Sequence, residues 1–357
     1  MNIAFFASSL VSAYWNGAAT YYRGIVKALH ARGHDVTFFE PDAFERQAHR
    51  DIDDPAWAEV VVYPPTESSV AEMLGRARAA DVIVKASGVG VLDDVLGAGV
   101  LELAGDAIIV FWDVDAPATL ARLEGDERDV LRELVPRYDL VLTYGGGAPV
   151  VQRYRALGAR ECVPVYNALD PATHFPTPPD PRFSADLAFL GNRLPDREAR
   201  VVEFFLRAAA ILPSRRFLLG GAGWDDLPLP ANVRLLGHLS TNDHNAFNCT
   251  PLAVLKVLRE TMAVNGWSPA TRVFEAAGAG ACLISDAWPG IEQFLEPGRE
   301  VLVARTGDEV ADLFCGLTEA RARTIGTAAR ARLLAEHTYA HRAEQVERVL
   351  TGAAVAA

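Results

Sequence analysis

The sequence lacks the features that mark several large classes of protein. Its 357 residues include only four cysteines, none in a C-x-x-C pair or with the spacing of a zinc site, so we expect reduced thiols and no bound metal. No apolar run reaches the roughly 18 residues that a membrane span requires. The N-terminus also lacks the basic start of a signal peptide. These absences predict a cytoplasmic protein with no transmembrane segment.

Runs of lysine or arginine are missing as well. The formal net charge is −12, which argues against nucleic acid or an anionic membrane as the main partner. Half of the residues are hydrophobic, and the chain is about twice as long as a typical domain. We therefore expect two folded domains with sizeable cores.

Apolar strands alternate with amphipathic helices along the whole chain. This alternation predicts parallel sheets that are covered by helices on both faces. One series runs from strand Asn2–Phe6 to strand Glu161–Val165, and a second begins at strand Ala185–Leu190. Between the two series, residues 169–183 are rich in proline and show no periodicity, which is typical of a linker. The fold class is therefore α/β, with two doubly wound domains.

The most informative stretch covers residues 268–285 and reads SPATRVFEAAGAGACLIS. Ser268 is placed to cap a helix, and Pro269 suits its first helical position. Gly278 then ends the helix, and residues 281–285 form a short buried strand. The stretch therefore predicts a helix followed by a strand, as in a parallel sheet.

Arg272 and Glu275 lie three residues apart on this helix and share one face near its start. Free amide N–H groups and the positive dipole end favour a phosphate there. A carboxylate one to two turns further along is placed to accept hydrogen bonds from the diol of a ribose. Together they predict a nucleotide site, although an ion pair on a solvated helix face gives the same pattern.

This stretch and the following DAWPGIEQFLEPGREVLV resemble the donor-binding half of GT-B glycosyltransferases of group 1. The R-V-F-E sequence before the Ala-Gly segment is similar to the spore-maturation type. The resemblance implies two Rossmann-like domains facing a cleft, with the last helix crossing back to the first domain. Residues 1–168 and helix 339–357 would form the acceptor domain, residues 169–183 the linker, and residues 184–338 the nucleotide-sugar donor domain.

The resemblance also implies roles for individual residues. Glu275 would hold the ribose of a nucleoside-diphosphate sugar. The diphosphate would be bound by Arg272, by the helix start at Ser268 and by the loop after the first strand of the donor domain, which carries Asn192, Arg193 and Arg197.

Arg197 would assist catalysis by neutralising the leaving diphosphate. Since helix dipole and arginines supply positive charge, we expect neither a metal nor a cofactor beyond the donor itself.

Further candidates lie elsewhere in the sequence. Asn16 and Gly17 open the helix after the first strand and are placed to direct N–H groups at the donor. His238 follows a glycine turn, where a histidine is more often a loop residue than a ligand. Asp113 lies at the carboxyl end of a buried strand and is our candidate for a general base, although a turn-capping role fits equally well. Aromatic residues such as Trp112 are candidates for an acceptor platform.

One position departs from the family pattern. Retaining members usually carry a second glutamate eight residues before the ribose-binding one, but this chain has Trp267 there. We predict a metal-independent glycosyltransferase acting on a small-molecule or glycan acceptor, with the retaining or inverting outcome open. The alternatives are a catalytically silent nucleotide-sugar binding protein and a sugar-nucleotide epimerase of GT-B shape.

Overall fold

The computed structural model describes residues 1–103 and 105–352, which form two compact units. Unit 1 comprises Met1–Asn167 and the final helix, Tyr339–Leu350, whereas unit 2 comprises Ala168–Thr338. The segment predicted as a linker, residues 169–183, is thus grouped with unit 2. The end of the predicted C-terminal helix, residues 353–357, lies outside the described residues.

Unit 1 is built on a seven-stranded parallel sheet in the order β3-β2-β1-β4-β5-β6-β7. Its strands are mostly buried, because helices cover the sheet and its residues are apolar on both faces. The strands are β1 (Asn2–Phe6), β2 (Asp35–Pro41), β3 (Glu59–Tyr63), β4 (Val82–Ala86), β5 (Ile108–Asp113), β6 (Leu140–Thr143) and β7 (Cys162–Pro164).

The helices of unit 1 follow the strands in turn. They are α1 (Ala19–Ala31), α2 (Glu67–Ala77), α3 (Asp93–Leu101), α4 (Ala116–Gly125), α5 (Val130–Leu134) and α6 (Gly147–Ala156), besides the final helix.

The final helix packs on α1, where Gly24 leaves room for the ring of Tyr339. A Cβ atom at Gly24 would lie only 2.3 Å from that ring. Arg342 of the same helix donates hydrogen bonds to the carbonyls of Tyr166, at 3.2 Å, and Asn167, at 3.4 Å. These contacts explain why the last helix belongs to unit 1.

Unit 2 contains a six-stranded parallel sheet in the order β10-β9-β8-β11-β12-β13. The order reverses between β8 and β11, so the loops after these two strands part and leave a crevice at the carboxyl edge. The strands are β8 (Leu187–Leu190), β9 (Phe217–Gly220), β10 (Val233–Gly237), β11 (Ala253–Lys256), β12 (Leu283–Asp286) and β13 (Leu302–Ala304).

One helical stretch of unit 2 is locally irregular. A π turn over Val202–Leu206 separates its two α-helical parts, α7 and α8. The helices are α7 (Pro195–Val201), α8 (Arg207–Ile211), α9 (His244–Cys249), α10 (Glu260–Asn265), α11 (Thr271–Gly278), α12 (Gly307–Cys315) and α13 (Glu319–Glu336). Among the described residues, no helix is long and apolar enough to cross a membrane.

The predicted start of α11 is wrong by two residues. The helix begins at Thr271, not at Pro269, and its N-cap residue is Ala270, which makes no side-chain capping bond. Ala270 has an extended backbone with ψ of 150°, so helical hydrogen bonding starts only after it. Ser268 therefore lies before the helix and does not cap it.

Candidate functional site

The central group of the site is the carboxylate of Glu275 on α11. Its side chain is only 12% exposed, and Arg272 Nη1 lies 3.4 Å from Glu275 Oε2. On the other side, His174 Nε2 lies 3.9 Å from Glu275 Oε1. Glu275 Oε2 is buried and has no hydrogen-bond partner among the described residues, and the same is true of Arg272 Nη1. These two groups are held close together without satisfying each other.

The charge state of Glu275 follows from its surroundings. Burial alone raises the pKa of a carboxyl group, but the positive charge of Arg272, with smaller effects from His174, His244 and Lys256, holds the pKa of Glu275 below its ordinary value. Glu275 is therefore an ionised, hydrogen-bond-accepting group at neutral pH.

Two histidines complete this side of the site. His174 comes from the segment predicted as a linker, and His244 from the start of α9. Burial and the charge of Arg272 lower the pKa of His244 to about 4, so its ring is neutral at pH 7. Burial likewise lowers the pKa of His174. His244 Nδ1 is buried and has no hydrogen-bond partner in the part of the chain that the structure describes.

This cluster also has the donor set of a metal site. One atom each from His174, His244 and Glu275 lies within 4.8 Å of the others, and two imidazoles with a carboxylate are common ligands of divalent metals. However, Arg272 competes for the same carboxylate, and its positive charge opposes a cation there. We do not assign a metal site to these residues.

Arg197 lies at the opposite side of the crevice, on α7. Its Nη1 donates a hydrogen bond to the Asn192 carbonyl at 3.1 Å, while its Nε is buried without a partner among the described residues. Asn192 Oδ1 accepts a bond from the Ala222 amide at 3.0 Å, which fixes the loop after β8. Arg197 is thus held in position, and its Nε–H group is left to donate to a ligand.

The neighbouring Arg193 is placed differently. Its guanidinium pairs with Glu198 at 2.8 Å and with Asp226 at 2.5 Å. Its positive charge is therefore already balanced by two carboxylates. The structure brings Arg193 near the site but gives it partners of its own.

Two charged residues of the site did not stand out in the sequence. Lys256 ends β11, is 5% exposed, and donates a hydrogen bond from Nζ to the Val257 carbonyl at 3.0 Å. Asp286 ends β12, is fully buried, and accepts bonds from Arg200 at 2.5 Å and from the Leu258 amide at 3.1 Å. A charged residue that ends an otherwise apolar strand was the signal that could have revealed both.

Ser268 and His238 differ in their relation to this site. Ser268 is 2% exposed, and its Oγ has no hydrogen-bond partner among the described residues. It precedes α11, so its hydroxyl belongs to the loop that leads into this helix. His238 is exposed in the turn after β10, and β9 separates β10 from β8 in the sheet. The structure therefore does not bring His238 to Glu275.

In unit 1, Asp113 is a fully buried residue with four hydrogen bonds. Its Oδ1 accepts from Ser87 Oγ at 2.7 Å, from the Asp115 amide at 3.0 Å and from Thr119 Oγ1 at 3.0 Å. The hydroxyl of Tyr154 donates to Oδ2. A carboxylate with this many donors fixes the turn between β5 and α4, and no lone pair is directed to solvent for proton transfer.

The loop after β1 is held in a similar way. Asn16 Nδ2 donates to the carbonyls of Ser9, at 2.8 Å, and Ser12, at 3.0 Å, and its Oδ1 accepts from Ser8 Oγ. The exposed Gly17 follows, and α1 begins only at Ala19. Asn16 is therefore a loop-stabilising residue in this structure.

Of the aromatic candidates, Trp112 is 1% exposed, and its Nε1 donates to the Tyr21 hydroxyl at 3.1 Å. It belongs to the core of unit 1 and offers no platform for an acceptor. In contrast, Trp15 is 81% exposed, and Tyr14 stacks on His49 with ring centroids 4.0 Å apart.

A cavity of about 420 Å³ opens in unit 1 beside the carboxyl ends of β4 and β5. Both charged and aromatic side chains line it, among them Lys85, Asp93, Phe111, Arg122 and Tyr138. The buried Lys85 pairs with Asp93 at 2.7 Å.

The chain was compared with known proteins. Residues 197–348 match the family described as glycosyl transferase-like. No curated protein has a significant sequence match to this chain.

Several solved structures resemble the chain over its whole length. HepE of Anabaena, in complex with UDP and glucose, has a TM-score of 0.68 and 16% identity, covering 99% of this chain and 100% of HepE. Sucrose-phosphate synthase from Thermosynechococcus elongatus has a TM-score of 0.70 and 14% identity, with coverage of 99% and 100%. The β-glucosyltransferase of phage T4, in complex with its UDP-glucose substrate, has a TM-score of 0.62 and 13% identity, with coverage of 98% and 99%.

The chain has the GT-B fold, as the sequence predicted, and its residues 197–348 match the glycosyl transferase-like family. The narrower likeness to the spore-maturation type stays a prediction.

Proposed function

We propose that this protein transfers a sugar from a nucleoside-diphosphate sugar to a small-molecule or glycan acceptor, and that unit 2 binds the donor. The observation that carries the proposal is the ionised carboxylate of Glu275, buried beside Arg272 with an oxygen that lacks a hydrogen-bond partner among the described residues. An unsatisfied buried acceptor costs free energy, and the diol of a ribose supplies the missing donors.

The diphosphate would lie between Arg197 and Arg272. Both guanidinium groups have a buried nitrogen without a partner among the described residues, and the Ser268 hydroxyl adds a further donor. Guanidinium groups bind phosphate oxygens bidentately and keep their charge at all relevant pH values. This set of donors supports a diphosphate site that needs no metal.

The reaction follows from this charge distribution. The bond between the anomeric carbon of the sugar and the phosphate oxygen breaks, and negative charge develops on the leaving diphosphate. Arg197 and Arg272 are in place before the reaction and stabilise this charge. A new bond forms between the anomeric carbon and an acceptor oxygen, whose proton is released to solvent.

For the acceptor, we propose the cavity of unit 1 that contains Lys85 and Asp93. Its volume of about 420 Å³ lies within the range of about 300–1,000 Å³ that is usual for small-molecule sites. The hydrogen bonds of Asp113 favour a positioning role for this residue, so we propose that Asp113 shapes the turn and does not take the acceptor proton.

A second candidate function is donor binding without transfer. It is favoured by Trp267, which stands where retaining relatives usually carry a carboxylate. Its φ of 42° places it in the left-handed region, and its amide donates to the Pro289 carbonyl at 2.7 Å. Because this residue is a tryptophan, there is no carboxylate at the position expected to contact the donor sugar.

The test is thermal stabilisation of the full chain by UDP, GDP, TDP and their common sugars. We expect one nucleotide family to raise the melting temperature. Glu275→Ala should weaken its binding by roughly 1.5–3 kcal/mol, as is usual for hydrogen bonds to a charged group.

Glu296→Ala is the matched control, because Glu296 forms an exposed i,i+3 pair with Arg299 at 3.0 Å. No stabilisation by any nucleotide, or equal affinity of folded Glu275→Ala and wild type, would refute the donor site. Formation of a glycosylated product then separates transfer from binding alone.

A further inference from the structure

The site of unit 2 carries more positive charge than its carboxylates balance. Arg197 forms no ion pair with a carboxylate among the described residues, and Arg272 only approaches Glu275, at 3.4 Å. Arg197 and Arg272 are close enough for their charges to act on Lys256. The nearby Asp286 is already bound by Arg200 at 2.5 Å. Asp196, which acts on Arg197, is bound by Arg259 at 2.6 Å, so Glu275 is the carboxylate left to balance these cations.

Lys256 is the most deeply buried of these cations. Its strand, β11, lies inside the sheet between β8 and β12 and not at a sheet edge. The Lys256 side chain is therefore buried. Its one described hydrogen bond goes to the carbonyl of the next residue, Val257, at 3.0 Å. Since an ammonium group has three donors, a protonated Lys256 has donors left for another acceptor.

We infer that Lys256 is a third phosphate-binding cation beside Arg197 and Arg272, and that it takes up a proton from solvent when the donor's diphosphate binds. The inference rests on the proposed function, because it assumes that a diphosphate enters this crevice.

The surroundings of Lys256 explain why the proton would be gained only on binding. Burial and the charges of Arg197 and Arg272 lower the pKa of Lys256 to about 7, although Asp286 and Glu275 oppose this effect. These four groups come from α7, α11 and β12, while the neighbouring strand β8 contributes only apolar side chains. A bound diphosphate adds negative charge next to the ammonium and raises its pKa.

The pH dependence of donor affinity follows from this difference. A group whose pKa is higher in the complex than in the free protein strengthens binding at low pH. Affinity is therefore greatest below about pH 7, the pKa of Lys256 in the free protein, and decreases as the pH rises above it. Donor binding above about pH 7 is then accompanied by uptake of a proton.

Isothermal titration calorimetry in buffers of different ionisation enthalpy measures this uptake. The probe is UDP-glucose, or GDP-mannose or TDP-glucose if UDP-glucose does not bind, because a sugar nucleotide has no terminal phosphate that titrates near pH 6. For the wild type we expect uptake of about 0.5–1 proton at pH 8 and almost none at pH 6.

Two substitutions of Lys256 test its role. Lys256→Met should bind about 10- to 100-fold more weakly at pH 6.5 and show no uptake at pH 8. Lys256→Arg, which stays charged at every pH tested, should bind without uptake. If Lys256→Met does not fold, the loss of proton uptake in Lys256→Arg tests the role of Lys256. Lys27→Met, which removes a lysine of α1 in unit 1, is the control and should keep the uptake at pH 8.

The outcomes separate this inference from the proposed function. If the wild type binds none of the three probes, the proposed donor site fails, and the inference fails with it. If the wild type binds but takes up no proton at pH 8, the inference alone is overturned. The same conclusion follows if Lys256→Met retains both the affinity and the uptake of the wild type.

Discussion

Buried polar side chains differ in their hydrogen bonding between Asp113 and Asn16 of unit 1 and the site around Glu275 in unit 2. In unit 1, Asp113 accepts four hydrogen bonds and Asn16 takes part in three. In unit 2, Glu275, Arg197 and Ser268 each keep a buried polar atom that has no partner among the described residues.

A satisfied polar group stabilises the loop that contains it. An unsatisfied buried one costs about 1–3 kcal/mol, which a bound ligand can recover. A buried carboxylate is therefore structural at Asp113 and a ligand-binding candidate at Glu275. The difference lies in the partners and not in the residue types.

The largest effect that distinguishes the two cases is expected for Asp113→Ala. The substitution leaves four donors without their acceptor, so it should lower the free energy of unfolding by about 3–5 kcal/mol, as for other broken buried charge networks. Urea denaturation measures this change. A stable variant that binds donor but has lost transfer would instead identify Asp113 as the general base.

Arg197 and Arg193 sharpen the comparison within one loop. Arg197→Ala should weaken UDP-sugar or GDP-sugar binding by about 10- to 100-fold, because it removes an unpaired guanidinium. Arg193→Ala should change donor affinity by less than about threefold, because Glu198 and Asp226 already balance the charge of Arg193. Such ion pairs near the surface contribute only about 0–1 kcal/mol to stability, so the variant should also fold. Calorimetric titration decides, and equal losses in both variants would show that Arg193 binds the diphosphate too.

A smaller effect is expected from His244 in acid. Its pKa is about 4 in the folded protein and 6.5 in the unfolded chain, so the unfolded chain binds more protons between these values. Stability should therefore decrease as the pH falls from 6.5 to 5, by up to about 2 kcal/mol. His244→Asn should reduce this pH dependence in urea denaturation. An unchanged slope in His244→Asn would mean that the ring titrates normally.

Ser268→Ala should have the smallest effect. Loss of one neutral donor should weaken donor binding by about 1 kcal/mol, or roughly fivefold. Because the hydroxyl has no partner among the described residues, the free energy of unfolding should not decrease. Calorimetry and urea denaturation test the two statements. A large loss of stability would show that the hydroxyl holds the loop before α11.

The sequence predicted the α/β fold because apolar periodicity reports local burial, and β1 has its predicted bounds, Asn2–Phe6. It also predicted that Arg272 and Glu275 share a helix face. The start of α11 was missed, since a serine before a proline is a capping signal that the extended Ala270 overrides. His174 was missed because a proline-rich segment gave no sign that it would fold against α11.

The sequence itself therefore determined the alternation of strands with helices and the pairing of Arg272 with Glu275 on one helix face. Only the tertiary structure decided that Asp113 is surrounded by donors, that His174 and His244 meet Glu275, and that the charges of Arg197 and Arg272 act on Lys256. The physical reason is that spacing along a helix or strand is fixed by backbone geometry. The partners of a buried polar group, in contrast, come from segments that are distant in sequence and meet only when the sheet is assembled.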